Sequence, residues 1–179
     1  MMNKSALIDF LTEGVNEIAV LSQYTAAERF YYKPAEQVWS AAENVQHLMQ
    51  SVQPLNRLLG RPKSYFIEKW GTPTQASRPY EAVVEAYHAA LGGGRAATGA
   101  FVPLSPNAEL SLLTEEFKQD YAALMEHVGQ WEEKALDEHV IPHPLMGPLT
   151  VREMLLFTAY HLRHHLQIML NRVNSAALI

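Results

Sequence analysis

Two histidines near the end of the chain, His161 and His165, have a spacing that suits a metal site. Residues four positions apart lie one above the other on one face of an α-helix, so both imidazoles can reach the same ion. Neutral imidazole nitrogen is a ligand for zinc, nickel and iron. His164 is rotated by about 100° from His165 on a helix of 3.6 residues per turn. We therefore expect His164 on the flank of the helix, solvated or hydrogen-bonded.

A third candidate ligand, His47, lies in another apolar segment far away in sequence. It belongs to a polar strip that also contains Ser40, Glu43 and Asn44. Polar groups near a core are costly unless they are paired or bind something, and helix bundles build metal sites from side chains on facing helices. One histidine from one helix and a pair from another would leave a coordination position open, which is typical of a catalytic ion. The alternative is that these histidines are only hydrogen-bonded groups at the edge of the core.

The composition excludes several classes of function. Of the 179 residues, 48% are hydrophobic and 18% are charged, which is typical of a globular protein, and we expect one domain over residues 1–179. The formal net charge of −5 argues against nucleic-acid binding. Because the chain has no cysteine, a metal would have to use histidine, carboxylate or water. We expect no signal peptide, no membrane-spanning helix and a cytoplasmic location.

Apolar residues that recur every three or four positions predict four long helices. The fourth has Thr150 as its N-cap, and Glu153 three residues later completes a capping-box pattern. The second contains Pro54, which should kink or shorten its last turns. The predicted helices cover approximately residues 5–24, 34–60, 107–136 and 151–173.

The connections between these helices are rich in proline and glycine. A long crossover, residues 61–106, joins the second and third helices. We predict one short helix within it, at 79–91. Three glycines follow this helix, and we interpret them as a flexible linker. Residues 140–149 are predicted to be an irregular loop. The expected fold is all-α, a four-helix bundle with one long overhand connection.

Two motifs resemble those of the DinB/YfiT-like superfamily. The segment from Trp39 to Leu48 is similar to its Trp-Ser/Thr motif that ends in His-Leu. The segment 143–150, followed by His161 and His165, resembles its motif in the last helix. The order, separation and helix assignment of the motifs agree with that family over essentially the whole chain.

This resemblance implies a bundle in up-down-down-up order, a homodimer, and a divalent metal ion bound by His47, His161 and His165. It also implies a small-molecule substrate, because characterised members include metal-dependent thiol transferases and thiol-dependent isomerases. The fourth helix has no acidic residue between its two histidines, so an orienting carboxylate must come from elsewhere. Glu43, one turn before His47, is the best candidate.

Glu43 has three interpretations. It could fix the tautomer of His47, act as a general base beside metal-bound water, or be a solvated residue on the helix surface. His143 could reach the mouth of the site if residues 140–149 cover one end of the bundle. The aromatic residues Trp39, Phe117, Tyr121 and Trp131 are expected in the core, whereas Tyr65 and Trp70 could line a pocket.

Two functions remain open at this point. The first is an enzyme that uses zinc, nickel or iron for thiol transfer to, or hydrolysis of, a small molecule, with a low-molecular-weight thiol supplied from solution. The second is a non-catalytic bundle without bound metal, which binds a small ligand or has a structural role.

Overall fold

The structure is a computed structural model that describes residues 2–92, 97–104 and 106–175, and its main elements are helices. The all-α class is therefore confirmed. The helices are α1 (Lys4–Gln23), α2 (Ala27–Phe30), α3 (Ala41–Leu59), α4 (Lys63–Trp70), α5 (Tyr80–Leu91), α6 (Leu110–Gly129), α7 (Ala135–Glu138) and α8 (Val151–Ser175), with a 3₁₀ turn at Gly99–Phe101 and two strands, β1 (Val140–His143) and β2 (Gly147–Thr150).

The four long helices α1, α3, α6 and α8 surround the core. Each of α1 and α3 packs against both α6 and α8, and the apolar stripe of each helix is buried between them. Contacts show that α1 runs parallel to α8 and antiparallel to α6, and that α3 runs antiparallel to α8, which agrees with the up-down-down-up order. For α1 and α8 the contacting pairs are Met2–Arg152 and Phe10–Arg163. For α1 and α6 they are Thr12–Met125 and Ser22–Thr114. For α3 and α8 they are Asn44–His165 and His47–His161.

The predicted start of the second long helix was wrong by six to seven residues. Pro34 suits a first helical turn, but α3 begins only at Ala41. Ser40 and Glu43 form a capping box there, in which each side chain accepts a hydrogen bond from the other residue's backbone N–H. This pair satisfies two backbone N–H donors that would otherwise have no partner at the helix end, which Pro34 cannot do. Pro54 lies inside α3, and the helix continues beyond it to Leu59.

The region between α3 and α8 also differs from the prediction. The short helix of the crossover is present as α5 and packs against α8, but α4 was not predicted, and Gly93 and Gly94 lie outside the described residues. The third long helix ends at Gly129 rather than at Leu136, and α7 follows as a separate turn.

Residues 140–150, most of which were predicted as an irregular loop, form a β-hairpin. Val140 pairs with Thr150 and His143 with Gly147 in an antiparallel register. Pro142 faces Pro148, and two facing prolines fit an antiparallel pair only at a position where neither backbone nitrogen has to donate. The prolines that argued against a strand therefore occupy positions that tolerate them. Gly147 has a φ of 74°, which glycine adopts without strain.

No helix within residues 2–92, 97–104 and 106–175 has the length and apolar character needed to span a lipid bilayer.

Candidate metal centre

The beginnings of α3 and α8 fix the positions of the three histidines. At α8 the predicted capping box is present: Thr150 Oγ1 accepts from the Glu153 backbone N–H at 3.1 Å, and Glu153 Oε2 accepts from the Thr150 N–H at 3.0 Å. The helix then places His161 and His165 on a face that is buried along most of its length. The box at the start of α3 sets His47 in the second turn of that helix.

The structure brings these three histidines together. The distance from His161 Nε2 to His47 Nε2 is 3.2 Å, and the distance to His165 Nε2 is 3.0 Å. Candidate ligand atoms of all three residues lie within 4.8 Å of one another, and all three side chains are buried. At a zinc–nitrogen distance of about 2.0–2.1 Å and tetrahedral angles, neighbouring nitrogens would be about 3.3 Å apart. The group could therefore hold a metal ion with small side-chain adjustments.

Hydrogen bonds at the far side of two rings determine which nitrogens face the centre with a free lone pair. His47 Nδ1 lies 2.6 Å from the Phe101 carbonyl oxygen, which can only accept. His165 Nδ1 lies 2.7 Å from Asn44 Oδ1, and the Asn44 amide is oriented because its Nδ2 donates to Ser40 O at 2.7 Å. Both Nδ1 atoms must therefore carry the proton. Their Nε2 atoms are left as bare acceptors.

This arrangement has more acceptors than donors. A neutral His161 with its proton on Nε2 can donate to one of its two neighbours, so at least one pair of nitrogen lone pairs remains in contact without a proton between them. Buried polar atoms without a partner cost free energy. A divalent cation would match all three lone pairs at once, and the donor set therefore fits a metal.

The protonation state of the rings also fits metal binding. Burial lowers the pKa of His161 and of His165 well below the ordinary value of 6.5, and the neighbouring histidines lower both further. Burial also lowers the pKa of His47, against an opposing effect of its hydrogen bond to Phe101. Neutral imidazole is the form that binds a metal, so protons compete little with the ion at neutral pH.

Glu43 is buried, which does not fit a solvated surface residue. Its Oε2 accepts from the Ser40 N–H at 2.8 Å, and its Oε1 forms an ion pair with Lys33 Nζ, also at 2.8 Å. A role in orienting His47 or as a base stays a prediction. The groups that orient the histidine rings, Asn44 and the Phe101 carbonyl, were not predicted from the sequence. Asn44 does belong to the polar strip that the sequence analysis identified.

A cavity of about 700 Å³ adjoins the histidines. As hypothesised, the hairpin brings His143 to this cavity. Burial there lowers the pKa of His143 to about 4. The centroid of its ring lies 4.4 Å from the centroid of the Phe157 ring. His164 also borders the cavity but does not belong to the histidine group. Tyr87 from α5, the helix of the crossover, forms another part of the wall.

The aromatic residues divide between core and cavity differently from the prediction. Phe117, Tyr121 and Trp131 are buried as predicted, although Tyr121 also reaches the cavity wall and its hydroxyl has no hydrogen-bond partner among the described residues. Trp39, predicted in the core, is only half-buried and lines the cavity, with its ring 5.0 Å from that of His47. Trp70, which was predicted to line a pocket, packs on Phe66, with 5.8 Å between the ring centroids.

Comparisons with known proteins agree with this geometry. The family model described as the DinB superfamily matches residues 18–169, a range that contains all three histidines. A search among curated proteins finds no match.

Proposed function

Because the chain belongs to the DinB superfamily, we propose that it is a divalent-metal-dependent enzyme whose ion is held by His47, His161 and His165. The observation that supports this most directly is the convergence of three Nε2 atoms, two of which are made acceptors by the bonds at Nδ1. Zinc, nickel and ferrous iron all suit an all-histidine donor set.

The proposed reaction is transfer of a low-molecular-weight thiol to an electrophilic small molecule, with hydrolysis as the second candidate. A divalent ion at this site would lower the pKa of a bound thiol or water and so provide a nucleophile at neutral pH. The chain has no cysteine, so the thiol must enter from solution. The cavity beside the histidines offers space for both reactants, and most of its wall is apolar.

Metal binding can be tested with histidine variants. After treatment with chelator and dialysis against Zn²⁺, Ni²⁺ or Fe²⁺, we expect one ion per chain in the wild-type protein. His47→Ala and His165→Ala each remove one of three ligands and should bind less than a tenth as much metal at the same free concentration. His88→Ala is the matched control, because His88 is exposed on α5. Unchanged stoichiometry in both ligand variants would refute the site.

Turnover is measured on the metal-loaded protein. Consumption of a small thiol in the presence of an electrophile should depend on the metal and be lost in both ligand variants. Metal binding without thiol transfer or hydrolysis would instead support a binding or structural role.

The tautomer argument makes a separate prediction about Asn44. Asn44→Ala removes the acceptor that keeps the proton of His165 on Nδ1, and we expect metal affinity to fall about 10- to 100-fold. The affinity can be measured by competition with a chromophoric chelator. Ser51→Ala is the control: Ser51 lines the same cavity, but its hydroxyl donates to the backbone oxygen of His47. Equal affinities for the two variants would contradict the orienting role of Asn44.

A further inference from the structure

The cavity beside the histidines has one permanently charged group among its described lining residues, Arg172. Most of the wall is apolar or aromatic, and its other polar groups are neutral amides, hydroxyls and imidazoles. Arg172 is half-buried at this cavity, so its guanidinium has lost part of its contact with water and a bound counter-ion would stabilise it. The position of Arg172 therefore needs an explanation that the metal site does not give.

No carboxylate lies within 4 Å of the Arg172 guanidinium among the residues that the structure describes. By contrast, Arg78, Arg152 and Arg163 each form an ion pair with an acidic side chain. Arg172 Nε donates to the Trp39 carbonyl oxygen at 3.2 Å, which holds the side chain. Within residues 2–92, 97–104 and 106–175, the four N–H bonds of its two terminal nitrogens have no acceptor and can bind a ligand.

Helix geometry relates Arg172 to the metal site. Arg172 is seven positions after His165, so the two lie on nearly the same face of α8, about 10.5 Å apart along its axis. Trp39 connects the two places, because its carbonyl binds Arg172 and its ring lies beside His47. A molecule bound at Arg172 would therefore lie along the cavity with its other end near the histidines.

We propose that Arg172 binds the carboxylate of the substrate, and that the substrate is a small organic acid with an apolar body. The planar guanidinium matches a carboxylate with two parallel hydrogen bonds, and one positive charge neutralises one carboxylate. A phosphate carries up to two negative charges, so a single guanidinium neutralises it less completely than it neutralises a carboxylate. This inference rests on the proposed function, since it names the substrate class of that site.

The test uses matched ligands and chelator-treated protein, so that no ligand can bind through a metal. We expect 3-phenylpropionate to bind the wild-type protein at least tenfold more tightly than the neutral 3-phenylpropionamide, as measured by titration calorimetry. Arg172→Met should reduce this ratio to less than about twofold, and Arg172→Lys should give an intermediate ratio because it keeps the charge but not the planar fork. Arg57→Met is the control, because Arg57 is exposed on α3 away from the cavity.

Two results would overturn the inference. One is equal binding of acid and amide by the wild-type protein, which needs no variant and therefore does not depend on the folding of one. The other is a folded Arg172→Met variant that prefers the acid over the amide by the same factor as the wild-type protein. Metal stoichiometry should be unchanged in Arg172→Met, so that loss of acid recognition and loss of the metal site are separate outcomes.

Discussion

His161→Leu will be more stable than the wild-type protein in chelator and less stable than it in saturating Zn²⁺. Without metal, His161 Nε2 lies between two bare acceptors at 3.2 Å and 3.0 Å, and its proton can satisfy only one of them. Leucine has a similar volume and no polar atoms. Replacing a poorly satisfied buried polar group by an apolar one of similar shape is neutral or stabilising, here by about 1 kcal/mol.

Zinc reverses the order because it stabilises only a folded protein that can bind it. At a free concentration one hundred times the dissociation constant, the wild-type protein gains about 2.7 kcal/mol. The variant keeps two of three ligands and gains much less. Chemical denaturation at pH 7, with chelator and with Zn²⁺, gives the four unfolding free energies that are needed.

The control for this experiment is His88→Leu, which changes an exposed histidine and should leave the zinc response intact. A hydrogen-bonded core histidine without a metal role would give a different pattern. In that case His161→Leu would lower the unfolding free energy by the same amount in chelator and in zinc.

The metal centre shows why part of a site can be predicted from sequence. The i, i+4 relation of His161 and His165 follows from helix geometry alone, and the resemblance to a known family joined His47 to them. The partner of His47 is different in kind: Phe101 contributes a backbone oxygen, and it lies 54 residues away along the chain. A backbone carbonyl has no residue signature, so only the folded crossover reveals it.

The sequence-based prediction of the fold was wrong where two local signals in the sequence compete. Pro34 and the Ser40–Glu43 pair both suit a helix start, and the pair prevails because it satisfies backbone donors at the end of α3. In the hairpin, Pro142 and Pro148 each argue against a strand when considered alone. The two are compatible with an antiparallel strand pair because they face each other. Such pairings depend on contacts that sequence spacing does not specify.

Arg152→Met will lower the free energy of unfolding by about 2 kcal/mol, less than the ~3–5 kcal/mol for breaking a fully buried ion pair, because its partners Asp137 and Glu133 keep part of their contact with water. Arg152 is buried near the start of α8, where a helix N-terminus disfavours positive charge. Its guanidinium binds both carboxylate oxygens of Asp137 at 2.7 and 2.8 Å and the carboxylate of Glu133 at 2.7 Å. It also donates to the backbone oxygen of Met2 at 2.9 Å. One side chain thus ties α8 to the chain before α1 and after α6.

The pH dependence gives this prediction a distinctive signature. Burial alone would raise the pKa of Asp137, but hydrogen bonds from Arg152 and Ser77 outweigh it and lower the pKa below the ordinary value of 3.8. A lowered carboxyl pKa contributes stability that is present above the ordinary pKa and lost as the pH falls through the folded-state pKa. The difference between wild type and Arg152→Met should therefore be constant from pH 7 to about pH 5 and shrink below about pH 4.

Urea denaturation across this pH range measures the difference, with Lys118→Met as the control. Lys118 forms an ion pair with Glu115, but both side chains are about half exposed, so we expect its loss to cost less than about 0.5 kcal/mol. The energetic distinction lies in burial: removing Lys118 leaves Glu115 in water, whereas removing Arg152 leaves Asp137 with one strong donor, Ser77 Oγ at 2.5 Å. Equal effects of the two substitutions, or a difference for Arg152 that does not shrink in acid, would show that the Asp137 ion pair contributes little to stability.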